Sequence, residues 1–328
     1  MKAVLCKTLG PASNLVIEET ADPKLNAKGV LIEVAAAGLN FPDTLIIEGN
    51  YQFKPTLPFS PGGEISGRVL EVGEQVEGFK VGDRVMALTG WGGFAEKVVV
   101  GASNIVPTPE SLDDVTAAGF MMTYGTSMHA LKQRADLQPE ERVLVLGAGG
   151  GVGLAAVEIA KAMGAYVIAA ASSDEKLEAA KAAGADQFLN YGREDFRDAL
   201  KAISKNDPID VVYDPVGGDK TETALRSLGW NGRHLVIGFA SGEIPKVPAN
   251  LTLLKGCQLV GVFWGAFAQK FPQENFANFK QLGVWLNDGQ LKPKVNEIYD
   301  FEDAPKAIEN MAERKLVGKA VVRVTAKG

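Results

Sequence analysis

Cysteine and histidine are scarce: Cys6, Cys257, His129 and His234 are the only ones in 328 residues. A catalytic zinc takes about three protein ligands and a structural zinc about four, commonly Cys or His. None of these residues stands at ligand spacing from another, so neither kind of metal site can be assembled. The two cysteines, far apart in sequence, imply no disulfide framework and read as buried small hydrophobes. Each histidine reads as a helix-packing or strand-end residue. No apolar run approaches the ~20 residues that a membrane-spanning helix needs. Lys and Arg number 34 against 40 Asp and Glu, a net charge of −6, and no basic tract offers itself to nucleic acid. The opening MKAVLCKTLG lacks the apolar core of a signal peptide and the Arg/Ser-rich character of a transit peptide, so a cytoplasmic enzyme is the expectation.

What is plentiful is apolar residue, 46% of the chain, enough to build one large or two ordinary domains. The stretch around which the rest is organised is Arg142–Ser173, RVLVLGAGGGVGLAAVEIAKAMGAYVIAAASS. It reads as strand (Val143–Leu146), glycine turn, helix (Leu154–Met163) and second strand (Tyr166–Ala171), a βαβ unit. Ala148, Gly150 and Gly153 stand at the spacing of a dinucleotide fingerprint whose first glycine is alanine. That spacing serves a tight turn, close approach of backbone to a pyrophosphate, and close packing of helix on strand. The helix start adds unpaired N–H groups and the positive end of its dipole. A glycine turn also occurs for packing alone, but strand before and helix after favour nucleotide. An acid at the end of the second strand would take the ribose 2′-OH of NAD; nineteen residues after Gly153 stand Ser172 and Ser173, with Lys176 on the next turn. Hydroxyls and an ammonium suit a 2′-phosphate, which points to NADPH. Asp174 and Glu175 argue the other way, yet read more simply as first-turn acids of the following helix.

Before this unit, residues 1–110 become rich in short β runs (Val30–Ala36, Glu64–Val72, Arg84–Leu88, Ala95–Val100) separated by Gly/Pro turns. These predict a small, mostly antiparallel β domain. Ser111–Leu131 reads helical. After the βαβ unit, strands and helices alternate: helix Glu175–Ala183, strand Gln187–Leu189, helix Glu194–Ser204, strand Ile209–Tyr213, helix Lys220–Leu228, strands His234–Phe239 and Gln258–Val262. The fold class is therefore α/β: a Rossmann-type doubly wound parallel sheet, with its ligand crevice at the carboxyl ends of the strands. The tail, with helices Glu274–Asn287 and Asp303–Arg314 and a β run Ala320–Val324, reads as rejoining the first domain. Residues 125–265 would then be a nucleotide domain inserted into a catalytic domain of residues 1–124 and 266–328.

Gly38-Leu39-Asn40-Phe41-Pro42-Asp43, Pro61-Gly62-Gly63-Glu64-Ile65-Ser66-Gly67, Val81-Gly82-Asp83-Arg84-Val85, Thr123 in MMTYGTSMHAL, AGGGVG and Asn190-Tyr191 occur together in this order. Over essentially its full length the chain resembles the zinc-free quinone oxidoreductases, related to zeta-crystallin, of the medium-chain dehydrogenase/reductase superfamily. The resemblance implies a GroES-like catalytic domain and places Asn40 and Gly63 where zinc-dependent relatives carry a cysteine and a histidine ligand. It implies that Gly150, Gly151, Val152 and Gly153 hold the diphosphate. Ser172, Lys176 and Tyr191 would take the 2′-phosphate, with Ser173 beside them and Arg314 as a second cation or simply a helix C-terminal charge. Thr123 would bond the nicotinamide ribose, and Gly238, Phe239, Val262, Phe263 and Trp264 would line the nicotinamide. Tyr191 reads alternatively as a surface aromatic, and Phe263 and Trp264 as core.

Without metal or an acid dyad, the protein's task is to place the nicotinamide against an electron-poor carbon. The expected reaction is hydride transfer from NADPH to a quinone or an activated alkene, leaving an oxyanion or enolate that needs a hydrogen bond and a proton. Asn40, which would stand beside the nicotinamide, is the candidate amide donor. Tyr51, in a Gly-Asn-Tyr stretch similar to that of enoyl thioester reductases, is either a proton donor or an aromatic wall; water is the other proton source. The rival readings are an enoyl-CoA or acryloyl-CoA reductase, for which no basic cluster among Lys54, Arg68 and Lys97 is evident, and a non-catalytic, crystallin-like nucleotide-binding protein. The resemblance also implies a homodimer paired through Gln258–Val262; a helix covering that strand is the alternative.

Overall fold

The computed structural model describes residues 1–325 and divides the chain where Met122 meets Thr123 and again where Lys292 meets Pro293. The first unit opens on β1 (Lys2–Cys6) and β2 (Leu15–Glu19), an antiparallel pair. Strands β3 (Gly29–Gly38), β4 (Glu64–Val72), β5 (Arg84–Leu88), β6 (Lys97–Gly101) and β7 (Ile105–Pro107) follow, with helix α1 (Phe41–Ile47) after β3 and α2 (Asp114–Ala118) after β7. Along β3, Val30, Ile32 and Val34 are wholly buried while Glu33 is exposed, the period of two that turns one face to a core.

The helix predicted over Ser111–Leu131 is not continuous. The Asp113 carboxylate accepts the Thr116 N–H (2.7 Å) to start α2, which ends at Gly119. A second helix, α3 (Met121–Met128), then carries the chain into the second unit and a π-helical stretch, His129–Arg134. There the elements alternate: β8 (Arg142–Leu146), α4 (Gly151–Ala162), β9 (Tyr166–Ala171), α5 (Asp174–Ala182), β10 (Gln187–Asn190), α6 (Phe196–Ile203), β11 (Ile209–Asp214), α7 (Lys220–Ser227), β12 (Leu228–Val236), α8 (Asn250–Lys255), β13 (Gln258–Gly261), α9 (Trp264–Lys270) and α10 (Pro272–Asn287). The six strands are all parallel, in the order β10-β9-β8-β11-β12-β13. This is the doubly wound arrangement, and its order reverses between β8 and β11, where such sheets open a ligand crevice. Val143, Leu144, Val145 and Leu146 of β8 are wholly buried, as a strand covered on both faces requires.

The chain returns to the first unit with β14 (Val295–Asp300), α11 (Ala304–Ala312) and β15 (Lys319–Arg323). β15 pairs antiparallel with β3, extending the sheet to the order β14-β15-β3-β4-β5-β7 with β6 also on β3. The nucleotide unit is thus an insertion, but it keeps residues 266–292, which the sequence reading assigned to the catalytic domain. The reason is packing: the Trp264 indole Nε1–H donates to Asn275 Oδ1 (2.9 Å), Phe267 stacks on His129 (3.9 Å), and Asn278 exchanges amide hydrogen bonds with Gln133 (2.9 and 3.1 Å). β12 also begins at Leu228 rather than near His234.

Candidate active site

In the nucleotide unit most of the candidate residues follow the carboxyl ends of the strands. Between β8 and α4, two glycines of the turn stand in different surroundings. A Cβ on Gly153 would come within 2.3 Å of the Gly147 carbonyl, so this glycine lets the helix close on the turn. Gly150 is the N-cap of α4, with extended backbone (φ −94°, ψ 167°). A Cβ there would meet only Gly147 O, at an ordinary 3.5 Å. Neither backbone nor packing demands glycine at 150. Gly151 and Val152 form the first turn of α4, and the Val152 carbonyl accepts the Ser127 hydroxyl (3.1 Å).

At the end of β9 the Lys176 Nζ lies 3.5 Å from Ser172 Oγ, bringing ammonium and exposed hydroxyl together. Ser173 is used differently: it caps α5, its Oγ accepting the Lys176 N–H (3.3 Å). The Asp174 carboxylate, the feature that argued for NAD, is held by Asn190 Nδ2 (2.7 Å) and by Arg193 (2.5 Å). Tyr191 follows β10, half-buried, with Lys220 Nζ 5.1 Å from its ring centre. Arg314 belongs to the first unit, just past α11, in a left-handed conformation (φ 59°), its backbone N–H bonded to Met311 O (3.0 Å).

Gly238 and Phe239 lie beyond β12, against the loop that follows β11. Asp214 organises that loop, its Oδ1 accepting the backbone N–H groups of Val216 (2.9 Å) and Gly217 (2.8 Å), its Oδ2 the Thr221 hydroxyl (2.7 Å) and lying 3.1 Å from His234 Nε2. Burial raises the Asp214 pKa, but the His234, Gly217 and Thr221 bonds outweigh it and leave it lowered. Val262 continues the pairing of β13, its N–H on Val236 O (3.0 Å), and Phe263 is exposed at the start of α9. Trp264 is buried packing: its indole fills the space where Gly125 lacks a side chain. Thr123, at the entry to this unit, is 4% exposed.

In the first unit, Asn40 stands in a buried polar cluster that the sequence alone does not reveal. Asn40 is the N-cap of α1. Its backbone N–H is taken by Asp43 Oδ2 (2.8 Å), while Asp43 Oδ1 accepts the Gly62 N–H (3.1 Å). Burial pushes the Asp43 carboxyl up to about 7, against those two bonds and the nearby Lys319. The Asn40 Nδ2 donates to Gly38 O (3.2 Å) and Glu64 Oε1 (2.8 Å), and its Oδ1 accepts from Lys319 Nζ (2.8 Å). Both amide hydrogens are therefore turned inward, and the expected free N–H donor is spent on the protein. Tyr51 packs half-buried against the core and edge-on to Phe53 (5.7 Å). Burial, reinforced by the Asp43 charge, raises its pKa and keeps it a protonated phenol. Asp43, Glu64, Lys319 and Asp214 were missed as site residues, although Asp43 and Glu64 lie inside quoted motifs.

The donor set does not suit zinc. Among the described residues no three His, Cys, Asp or Glu side chains are grouped to hold a metal ion. His129 is stacked on Phe267, burial lowering its pKa, and His234 is wholly buried on Asp214. No described helix is long and apolar enough to cross a membrane.

Two family models match: the alcohol dehydrogenase GroES-like domain over residues 26–110 and the zinc-binding dehydrogenase family over 151–281. Quinone oxidoreductase-like protein 2 of Bos taurus is 39% identical over 326 residues, covering 98% of this chain and 92% of that protein. The chain belongs to the quinone oxidoreductase branch of the medium-chain dehydrogenase/reductase superfamily. Among structures of this branch, the Escherichia coli quinone oxidoreductase complexed with NADPH superposes with a TM-score of 0.91 at 28% identity, covering 98% of this chain and 100% of that one. The CurK enoyl reductase superposes with a TM-score of 0.88 at 28% identity, covering 98% of each chain.

Proposed function

We propose that this protein transfers hydride from NADPH to a quinone or an activated alkene without a metal ion. The observation that carries the coenzyme choice is the end of β9, where Lys176 meets Ser172 and the Asp174 carboxylate is hydrogen-bonded by Asn190 and paired with Arg193. A 2′-phosphate is favoured there, where an ammonium and a hydroxyl stand together. Gly150–Gly153 and the N-terminus of α4 would hold the diphosphate, as Gly150's open side implies. Tyr191 completes the phosphate set, and Thr123, Gly238, Phe239, Val262 and Phe263 the nicotinamide end. The bound coenzyme supplies the hydride. The chain's own residues orient the acceptor and deliver a proton, for which Tyr51 is the candidate because its phenol stays protonated.

Replacing Lys176 by alanine is expected to raise KM for NADPH at least about tenfold, the loss of one charged hydrogen bond of roughly 1.5–3 kcal/mol. KM for NADH should hardly move, and an equal rise for both coenzymes would contradict the assignment. The same Tyr51 phenol favours the second reading, an enoyl thioester reductase. Turnover of NADPH with a benzoquinone against crotonyl-CoA separates the two, and tight NADPH binding with no turnover of any quinone or enone would leave only a nucleotide-binding protein.

A homodimer, of an enzyme working in the cytoplasm on a small-molecule substrate, completes the proposal. β13 is the last strand of its sheet, and Trp230, Leu253, Leu254 and Leu259 are exposed on or near it. Sedimentation at the mass of one chain would sink this part of the proposal.

A further inference from the structure

The strongest buried cluster outside the coenzyme cradle centres on Lys319, the first residue of β15. Its side chain is 8% exposed and that of Glu64, its counter-ion, 1%. An ammonium has three hydrogens, and here each has an acceptor: Leu39 O at 2.9 Å, Asn40 Oδ1 at 2.8 Å and Glu64 Oε1 at 2.5 Å. Glu64 is itself bonded at both oxygens, its Oε1 also accepting from Asn40 Nδ2 (2.8 Å) and its Oε2 from the Met122 N–H (2.9 Å). The passage for the lysine stem is built in: a Cβ on Gly119 would stand 2.8 Å from Lys319 Cγ.

The consequence for Asn40 is directional. With an ammonium facing Oδ1 and a carboxylate and a carbonyl facing Nδ2, only one orientation of the carboxamide is satisfied. Rotating it by half a turn would aim an NH2 at Nζ, donor against donor, and an oxygen at the Glu64 carboxylate, with both groups buried. The Leu39 carbonyl is held by the same Nζ, and the Asn40 backbone N–H by Asp43, so the turn from Leu39 to Asp43 is fixed from both sides.

We propose that Lys319, seated on Glu64, is a positioning residue for the substrate end of the first unit. It locks the Asn40 amide inward and sets the Leu39–Asp43 turn, which leaves protonation of the product to Tyr51 rather than hydrogen bonding to Asn40. The kinetic side of this proposal rests on the reductase reading above; its structural side does not.

The test uses the full chain and the double variant Lys319→Met with Glu64→Gln, which removes both charges together and leaves no unpaired buried ion. In the wild type, the two Asn40 side-chain amide protons are expected to exchange with solvent slowly and as separate NMR signals. In the double variant their exchange should speed up at least about tenfold, as for a group freed to open locally. kcat for NADPH oxidation should fall roughly a hundredfold, the cost of an ångström-scale misplacement, with KM for NADPH unchanged. Lys319→Arg, which keeps the charge, should recover part of kcat. Fast exchange of the Asn40 amide in the wild type would overturn the proposal whether or not any variant folds. A folded double variant with wild-type kcat would do so as well. Absence of any turnover by the wild type would instead count against the reductase reading, with the exchange measurement still deciding the role of Lys319.

Discussion

Gly150→Asp is expected to weaken NADPH binding at least about a hundredfold, some 2.7 kcal/mol or more, because a carboxylate brought against a diphosphate costs several kcal/mol. Thermal stability should not fall. The backbone at 150 is in the extended region open to any residue, its Cβ has room, and aspartate is a favoured N-cap for α4. Gly153→Ala is the complementary control: its methyl group would press on the Gly147 carbonyl at 2.3 Å and lower stability along with binding. The pair separates a glycine kept for the ligand from one kept for packing. Unchanged NADPH affinity in Gly150→Asp, measured by fluorescence titration, would move the diphosphate away from this turn.

The second large effect concerns pH. Burial lifts the Asp43 carboxyl from an ordinary value of 3.8 to about 7 in the folded protein. Between those values the folded state holds a proton that the unfolded state has released, so stability falls as pH rises from about 4 to about 7. A shift of this size amounts to a few kcal/mol, at roughly 1.4 kcal/mol per pH unit. Asp43→Asn should flatten that slope. At pH 5 the variant should be the less stable protein, since asparagine offers one acceptor where the N–H groups of Asn40 and Gly62 need two. By pH 8 the deficit should shrink or reverse, because the wild type then carries a buried charge that the variant lacks. Urea midpoints at the two pH values give the answer; a deficit that grows with pH would mean that Asp43 is ionised throughout.

The nucleotide unit was legible because its signals are local. A buried strand, a glycine turn and a helix start follow one another within Arg142–Ala162, and the alternation after them dictates a parallel sheet. The first unit was readable as an antiparallel domain from the runs that became β3, β4 and β5, while α1 was hidden inside a motif noticed for other reasons. What the sequence could not disclose is pairing across long separations. Lys319 reaches Asn40 across 279 residues, and nothing around either residue announces the other. Asn40 was therefore read as a free donor when its amide is fully bonded. Residues 266–292 were assigned to the wrong unit for the same reason: the contacts of Trp264, Phe267 and Asn278 with residues 125–133 have no local signature. Ser173 shows a smaller ambiguity, since a serine before two acids serves as a helix cap as readily as a phosphate ligand.

The claim on which the account stands is that NADPH and this polypeptide suffice for reduction. It is tested most directly by following NADPH oxidation with a benzoquinone after exhaustive chelation, with zinc measured on the same sample. The account predicts undiminished turnover at far less than one zinc per chain; activity that disappears with the metal and returns when zinc is added back would contradict it.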